Sequence, residues 1–169
     1  MFDKILSKML NFEQYGFDEI HVEIDVIDAI VEMGRSSDPY EFMCLFDGEI
    51  KNKILHITGL IFLPTETSNE GAIMQTGMLP PTMSNLGSVH SHPGPSALPS
   101  GTDLVTFSKM GLFHMIICRP YNVEDIMSYN RFGEVVTYKI VNEHIDDSKV
   151  LEDLLEYDDL LEDDEEPIY

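Results

Sequence analysis

The chain has 169 residues, of which 43% are hydrophobic, and it carries a formal net charge of −21 at pH 7. This length and hydrophobic content predict one globular domain that can bury its own core. So large a negative charge repels nucleic-acid phosphate and anionic lipid, and we therefore expect neither as a partner. The first residues lack the apolar core of a signal peptide, and no run approaches the ~18 apolar residues of a membrane span, so we expect a cytoplasmic protein.

Residues 1–18 have loosely helical apolar spacing and predict a short helix or an irregular arm. Residues 20–24 alternate between apolar and polar side chains, which predicts a half-buried strand. Apolar positions in residues 26–33 then fit a helix, with Asp25 as its N-cap and Gly34 at its end.

Two further strands are predicted in the next part of the chain. Residues 40–46 are mostly apolar and end in a hairpin connection over residues 47–52. Residues 54–63 are rich in β-branched and aliphatic side chains, which favour a long strand. The methionine-rich segment 65–86 holds a short predicted strand over residues 72–74, and it fits either a peptide-binding lip or packing against the core.

Cys44 and Cys118 lie in apolar runs without metal-type spacing. Buried free thiols in a reducing compartment are the expected state. A disulfide between the two stays open as an alternative, because sequence does not fix the distance between them.

Two histidines follow the apolar stretch Leu86 to Val89 and predict a metal-binding strand. Side chains two residues apart on a strand point to the same face, so the imidazoles of His90 and His92 can bind one metal ion together. The loop that follows is rich in proline and glycine and ends at Ser100. The apolar spacing after Ser100 predicts a helix start that would return Asp103 to the histidines.

Two interpretations of Ser100 and Asp103 stay open at this point. A serine followed three residues later by an aspartate is an ordinary helix-capping pattern. Two histidines and one carboxylate, with a fourth position left to water, are also the protein ligands of a catalytic zinc site.

The helix after the motif is predicted to end at Gly111. Residues 113–118 are predicted to form an apolar strand. By default His114 is a strand histidine near a sheet edge, and the alternative is that it supports a metal ligand from outside the ligand set. Residues 126–132 and 135–141 predict a hairpin around Gly133.

The spacing of the motif resembles that of the JAMM, or MPN-plus, metalloproteases. The resemblance rests on a His-Ser-His-Pro run, seven residues from His92 to Ser100, and a closing Ser-x-x-Asp. It implies that His90, His92 and Asp103 are zinc ligands and that Ser100 stabilises an oxyanion. Pro39 and Glu41 match the family's Pro-x-Glu turn, which implies that Glu41 is the general base; the weaker candidates are Glu23, Glu32 and Glu49.

The resemblance also implies a fold and an activity. It predicts a mixed α/β domain with a curved sheet over residues 19–141, Zn²⁺ as cofactor, and hydrolysis by a glutamate-activated, zinc-bound water. Family members cleave after the C-terminal glycines of ubiquitin or ubiquitin-like proteins. The short connection from Leu104 to Gly111 is similar to the shorter prokaryotic members, which implies a ubiquitin-like modifier or a sulfur carrier as substrate.

Two other functions remain as alternatives. One is a zinc metallopeptidase that acts on unrelated peptides, and the other is a non-catalytic scaffold of the MPN type. Residues 142–169 form an acidic segment, with twelve carboxylates and one lysine between Asp146 and Glu166. They read equally as a solvated tail or as an amphipathic helix that docks on this domain or a protein partner.

Overall fold

A computed structural model describes residues 16–62, 65–68, 71–74 and 86–142. In chain order its elements are β1 (Glu19–Glu23), α1 (Ile24–Ser37), β2 (Met43–Lys51), β3 (Ile54–Ile61), β4 (Thr65–Ser68), β5 (Gly71–Met74), β6 (Gly87–His92), α2 (Gly101–Lys109), β7 (Phe113–Cys118), a short 3₁₀ turn (Val123–Asp125), β8 (Ile126–Asn130) and β9 (Lys139–Val141). The predicted arm and acidic tail lie outside the described residues, apart from residues 16–18 and 142, so the domain boundaries remain predictions.

Within the described residues, seven strands form one mixed sheet in the order β8-β7-β6-β2-β3-β1-β9, and β4 pairs with β5 as a separate antiparallel hairpin. Strands β6 and β7 run parallel, so the chain must cross over between them, and α2 forms that crossover. The predicted mixed α/β fold is confirmed. No helix in the described part of the chain has the length and apolar character to cross a membrane.

The core is divided between the two faces of the sheet. On one face, α1 packs through Val26, Ile27 and Ile30 against strand residues that include Met115 and Ile117. On the other face, Phe107 of α2 is fully buried among Ala97, Ile116, Cys118 and Tyr129. Successive residues of β7 therefore serve alternate clusters, as the pleat of a strand requires.

The same alternation decides which face the histidines occupy. Val89 is fully buried and belongs to the cluster on the α1 face. His90 and His92 therefore point to the α2 face, and their register partners on β7, Ile116 and Cys118, belong to the cluster on that face.

Helix α1 differs from its prediction at both ends. It begins at Ile24, with Glu23 at the N-cap, so Asp25 lies in the first turn instead of capping it. It also continues through Gly34, which is buried. A Cβ at Gly34 would lie 2.8 Å from the ring of Tyr121, so this glycine permits close packing and does not end the helix.

Strand β2 extends past its predicted end at residue 46. It continues to Lys51 through a bulge between Asp47 and Gly48. The turn to β3 is made by two residues, Asn52 and Lys53, which both have positive φ, as tight hairpins require.

The predicted hairpin over residues 126–141 is wrong in its second half. Val135 makes only an isolated bridge to Tyr129, and β9 pairs in parallel with β1 at the opposite edge of the sheet. Val136 is buried, and its amide donates to the carbonyl of Ser128 on β8. Apolar alternation predicted the strands here but does not specify which edge a strand joins.

Two smaller predictions are confirmed. The strand over residues 72–74 is present as β5. Cys44 and Cys118 are both free and buried. Burial raises the pKa of the Cys44 thiol to about 12.

We expect Gly87→Ala to destabilise the protein by at least about 3 kcal/mol. Gly87 has φ +146°, and a Cβ there would lie 1.6 Å from the carbonyl oxygen of Phe113, which is backbone and cannot move aside cheaply. Urea unfolding of the variant measures the loss. Gly94→Ala is the matched control, because a Cβ at Gly94 meets nothing within 4 Å. Equal stability for the two variants would contradict this packing at the start of β6.

Candidate metal centre

The site forms where β6 ends and α2 begins. His92 is the last residue of β6, and Asp103 lies in the first turn of α2. The parallel crossover brings these two ends together, because a helix that returns over the sheet must start near the carboxyl end of the strand before it.

Three side chains converge there. The Nε2 atom of His90 lies 3.1 Å from one carboxylate oxygen of Asp103, and the Nε2 atom of His92 lies 3.4 Å from the other. The two Nε2 atoms are 3.1 Å apart. Ligand atoms of all three residues fall within 4.8 Å of one another, so the predicted return of Asp103 to the histidines is confirmed.

The ring of His92 is oriented by a second contact. Its Nδ1 atom lies 3.0 Å from the backbone carbonyl of Ser96, to which it can only donate. In the neutral ring this leaves Nε2 without a proton and with its lone pair toward Asp103. A carbonyl that fixes the tautomer in this way is the usual outer partner of a metal-binding histidine.

The donor set fits Zn²⁺. Two imidazole nitrogens and one carboxylate are the protein ligands of many catalytic zinc sites. Two nitrogens 3.1 Å apart repel each other through their lone pairs unless a proton or a cation lies between them, and a cation at this point would satisfy both rings and the carboxylate. His90, His92 and Asp103 could therefore bind a metal ion.

The charges of the site are strongly coupled. Burial alone would raise the pKa of the Asp103 carboxyl, but hydrogen bonds with His90 and His92, and a smaller one with Ser100, hold that pKa well below its usual range. The hydrogen bond to Asp103 raises the pKa of His92, and the negative charge of Glu41 adds to the rise.

Zinc affinity is expected to fall as the pH drops below the raised pKa of His92. In the metal-free protein the pKa of His92 lies above the ordinary histidine value of ~6.5, so the ring is protonated at pH values below that raised pKa. Zinc must displace this proton in order to bind. Affinity should therefore increase with pH, by about tenfold per pH unit for one displaced proton, and level off above the pKa. Competition titrations against a chromophoric chelator between pH 5 and 8.5 measure this slope, and a flat profile would contradict the assignment of His92 as a ligand.

The capping interpretation of Ser100 and Asp103 is confirmed, and it is compatible with the metal-ligand interpretation, because the capped carboxylate still lies beside the two histidines. Ser100 is the N-cap of α2, and its hydroxyl oxygen accepts from the Asp103 amide at 3.2 Å. The Ser100 amide donates to the Asp103 carboxylate at 2.6 Å, which completes a capping box. The cap thus fixes the carboxylate for the histidines, and because the Ser100 oxygen acts as an acceptor, its own proton is available to a further partner.

Glu41 lies beside the site but outside the ligand group. It occupies the extended segment before β2, and its side chain is exposed. Its contribution to the pKa of His92 places its charge within electrostatic range of that ring. The weaker candidates are on other parts of the fold. Glu23 occupies the N-cap position of α1, Glu32 lies within α1, and Glu49 is opposite His56 in the β2–β3 hairpin.

His114 lies on β7, the second strand from the sheet edge, and its side chain is fully buried. Its ring stacks on Phe107 with centroids 4.2 Å apart, and its Nδ1 lies 2.9 Å from the Ser88 hydroxyl. Burial lowers the pKa of His114 to about 3, so this histidine is a neutral support for α2.

Four residues near Glu41 were not predicted from the sequence. They are Asp38, Ser91, Arg119 and Tyr121, which hydrogen-bond to one another or to the backbone beside Glu41. A serine between two histidines was visible in the motif, but nothing in the sequence signals a contact between residues 38 and 119.

Known proteins are similar to this chain in both fold and sequence. A family model described as prokaryotic homologs of the JAB domain matches residues 23–132. A protein of Haloferax volcanii named probable metalloprotease is 27% identical over 146 residues, which cover 82% of this chain and 90% of that protein.

Two solved structures are also similar. One is a JAB1/MPN domain protein from Archaeoglobus fulgidus, with a TM-score of 0.56 and 33% identity over 72% of this chain and 99% of that one. The other is described as JAMM, a metalloprotease-like zinc site in the proteasome and signalosome, with a TM-score of 0.54 and 31% identity over 73% of this chain and 99% of that one. The chain therefore belongs to the Prok-JAB family, the prokaryotic homologues of the JAB domain.

Proposed function

We propose that this chain is a zinc-dependent peptidase that hydrolyses the isopeptide or peptide bond after the C-terminal Gly-Gly of a ubiquitin-like modifier or sulfur-carrier protein. The observation that carries the proposal is the convergence of His90, His92 and Asp103 in a chain of the JAB family. The relative named probable metalloprotease and the neighbour described as a metalloprotease-like zinc site support the same chemistry.

Three side chains would bind the zinc ion, and the ion would supply the Lewis acid. His90, His92 and Asp103 would hold Zn²⁺ at the mouth of the crossover. When bound, Zn²⁺ supplies a Lewis acid that lowers the pKa of a water molecule to ~7 and polarises the scissile carbonyl. The Ser96 carbonyl keeps His92 in the tautomer that can bind the ion, and the cap of α2 keeps the carboxylate in place.

Glu41 is the proton carrier in this proposal. Its exposed carboxylate can accept a proton from the attacking water and pass it to the leaving amine. Its negative charge contributes to the raised pKa of His92, which supports a position near enough to the site for this role.

Ser100 is the oxyanion donor. Its oxygen is occupied as the acceptor of the helix cap, so its hydroxyl proton can turn to the oxygen of the substrate carbonyl. A donor of this kind is worth about 3 kcal/mol in the transition state.

The substrate class is supported by two features of the backbone. Only residues 110–112 lie between α2 and β7, which fits the short prokaryotic form rather than the longer deubiquitinating members. The β4–β5 hairpin forms a two-stranded sheet of its own, and an extended Gly-Gly tail could add to one of its edges through main-chain hydrogen bonds.

Cleavage of Gly-Gly-linked fusions tests the proposal. Zinc-loaded protein is incubated with a panel of ubiquitin-like and sulfur-carrier fusions, with and without chelator, and zinc is then restored. We expect cleavage after the second glycine that the chelator abolishes and zinc recovers. Bound zinc without cleavage of any fusion would favour a scaffold, whereas equal cleavage of peptides lacking Gly-Gly would favour a general metallopeptidase.

A further inference from the structure

The segment that carries Glu41 joins α1 to β2 without regular structure of its own. Residues 41 and 42 belong to neither a helix nor a strand, and the Glu41 side chain is exposed. Its position therefore depends on how the residues on either side of it are held. Side chains from two other parts of the chain hold them.

Ser91 holds the segment on the C-terminal side of Glu41. The buried Phe42 amide donates to the Ser91 hydroxyl at 3.0 Å, and the Ser91 amide donates to the Phe42 carbonyl at 3.1 Å. Ser91 is fully buried and stands between the two histidine ligands. The peptide bond that follows Glu41 is thus fastened to the strand that carries His90 and His92.

Arg119 holds the segment on the N-terminal side. Its Nη2 and Nε atoms donate to one carboxylate oxygen of Asp38 at 2.6 and 3.0 Å, and the Tyr121 hydroxyl donates to the same oxygen at 2.9 Å. The backbone amide of Arg119 also donates to the carbonyl of Gly94, in the loop between β6 and α2. One residue therefore connects the Glu41 segment to the loop that joins the metal ligands.

We infer that Ser91 and the Asp38–Arg119 pair are positioning residues that set the distance between the Glu41 carboxylate and the metal centre. The inference rests on the proposed function. A displacement of about 1 Å in a reacting group can cost on the order of 100-fold in rate. Fastening both sides of an exposed glutamate to the framework of the ligands keeps that distance fixed while leaving the carboxylate open to water and substrate.

Ser91→Ala and Asp38→Asn test the inference through three measurements. We expect kcat to fall about tenfold or more for each variant, with KM changed by less than about threefold and zinc affinity unchanged. Ser91→Thr, which keeps the hydroxyl, should restore activity to Ser91→Ala. In a Glu41→Gln background, Ser91→Ala should cause no further loss.

A readout independent of substrate uses the Co²⁺-substituted protein. The pH titration of its visible spectrum should shift in the same direction in Ser91→Ala, Asp38→Asn and Glu41→Gln. Glu19→Gln is the control, because it removes an ion pair with Lys139 of the same 2.6 Å length at the other edge of the sheet. It should leave the titration and kcat unchanged.

Several results would overturn the inference. If zinc affinity fell in parallel with kcat in Ser91→Ala, Ser91 would act by positioning the metal ligands and would not act through Glu41. A full additional loss in the Glu41→Gln background, or an equal effect of Glu19→Gln, would show a general effect on stability. If Glu41→Gln changes neither cleavage nor the cobalt titration, the role proposed for Glu41 fails. If Glu41→Gln lowers kcat as expected but Ser91→Ala and Asp38→Asn leave kcat and the titration unchanged, only the positioning role fails.

Discussion

Glu41→Gln is expected to lower kcat by about 10²- to 10⁴-fold while zinc stays bound. Glutamine keeps the shape of the side chain but cannot accept a proton from the attacking water. Glu41 is outside the group of ligand atoms, so its loss should not release the ion. Steady-state cleavage of the best Gly-Gly fusion, with zinc content measured on the same sample, gives both quantities.

Glu49→Gln is the matched control for Glu41. Glu49 is also an exposed glutamate, and it lies on β2, the strand that follows Glu41. Its replacement should leave kcat within about twofold of wild type, because it faces His56 in the β2–β3 hairpin and not the metal centre. If Glu49→Gln lost activity and Glu41→Gln kept it, the general base would be misassigned.

The second large effect is expected from Asp103→Ala, which should weaken zinc binding by more than about 100-fold. Even outer partners of metal ligands are worth 10- to 100-fold in affinity, and Asp103 would contribute a ligand directly. The same change removes one half of the capping box of α2, which should cost about 1 kcal/mol of stability. Zinc titration and urea unfolding separate the two losses.

Asp125→Ala is the control for Asp103. Asp125 has the same place in the capping box of the 3₁₀ turn, where its carboxylate accepts from the Asn122 amide. Asp125→Ala should lose a comparable cap and bind zinc as wild type does. Equal zinc affinity in the two variants would mean that Asp103 is only a capping residue.

The geometry of the candidate metal centre was predictable from the sequence because its parts are local. His90 and His92 are two residues apart on one strand, and Ser100 and Asp103 are three residues apart at one helix start, so strand and helix periodicity fix each pair. The family resemblance then connected the two pairs, which the crossover geometry brings together.

The supports of the site were not predictable in the same way. Asp38 and Arg119 are separated by 81 positions in the chain, and only the packing of the loop before β2 against the end of β7 joins them. The partner of β9 was missed for a related reason, because an alternating stretch indicates a strand without indicating its neighbour. Gly34 was read as a helix end, although close packing against Tyr121 explains it.

The Asp103 carboxylate belongs both to the cap of α2 and to the candidate metal site, so it is positioned before an ion binds. The cap holds Asp103 by two hydrogen bonds with Ser100 before any ion binds. The carboxylate is therefore already placed between the rings, and ion binding need not order α2. This arrangement is the basis for treating the three residues as a preformed metal site.

Zinc K-edge X-ray absorption of the purified, zinc-loaded chain tests that central claim most directly. We predict one zinc ion with two imidazole nitrogens at ~2.0–2.1 Å, oxygen ligands in the remaining positions and no sulfur at ~2.3 Å. In Asp103→Ala the spectrum should change or the ion should be absent. A sulfur shell, or a spectrum without imidazole scattering, would show that zinc binds elsewhere and would contradict the assignment of His90, His92 and Asp103.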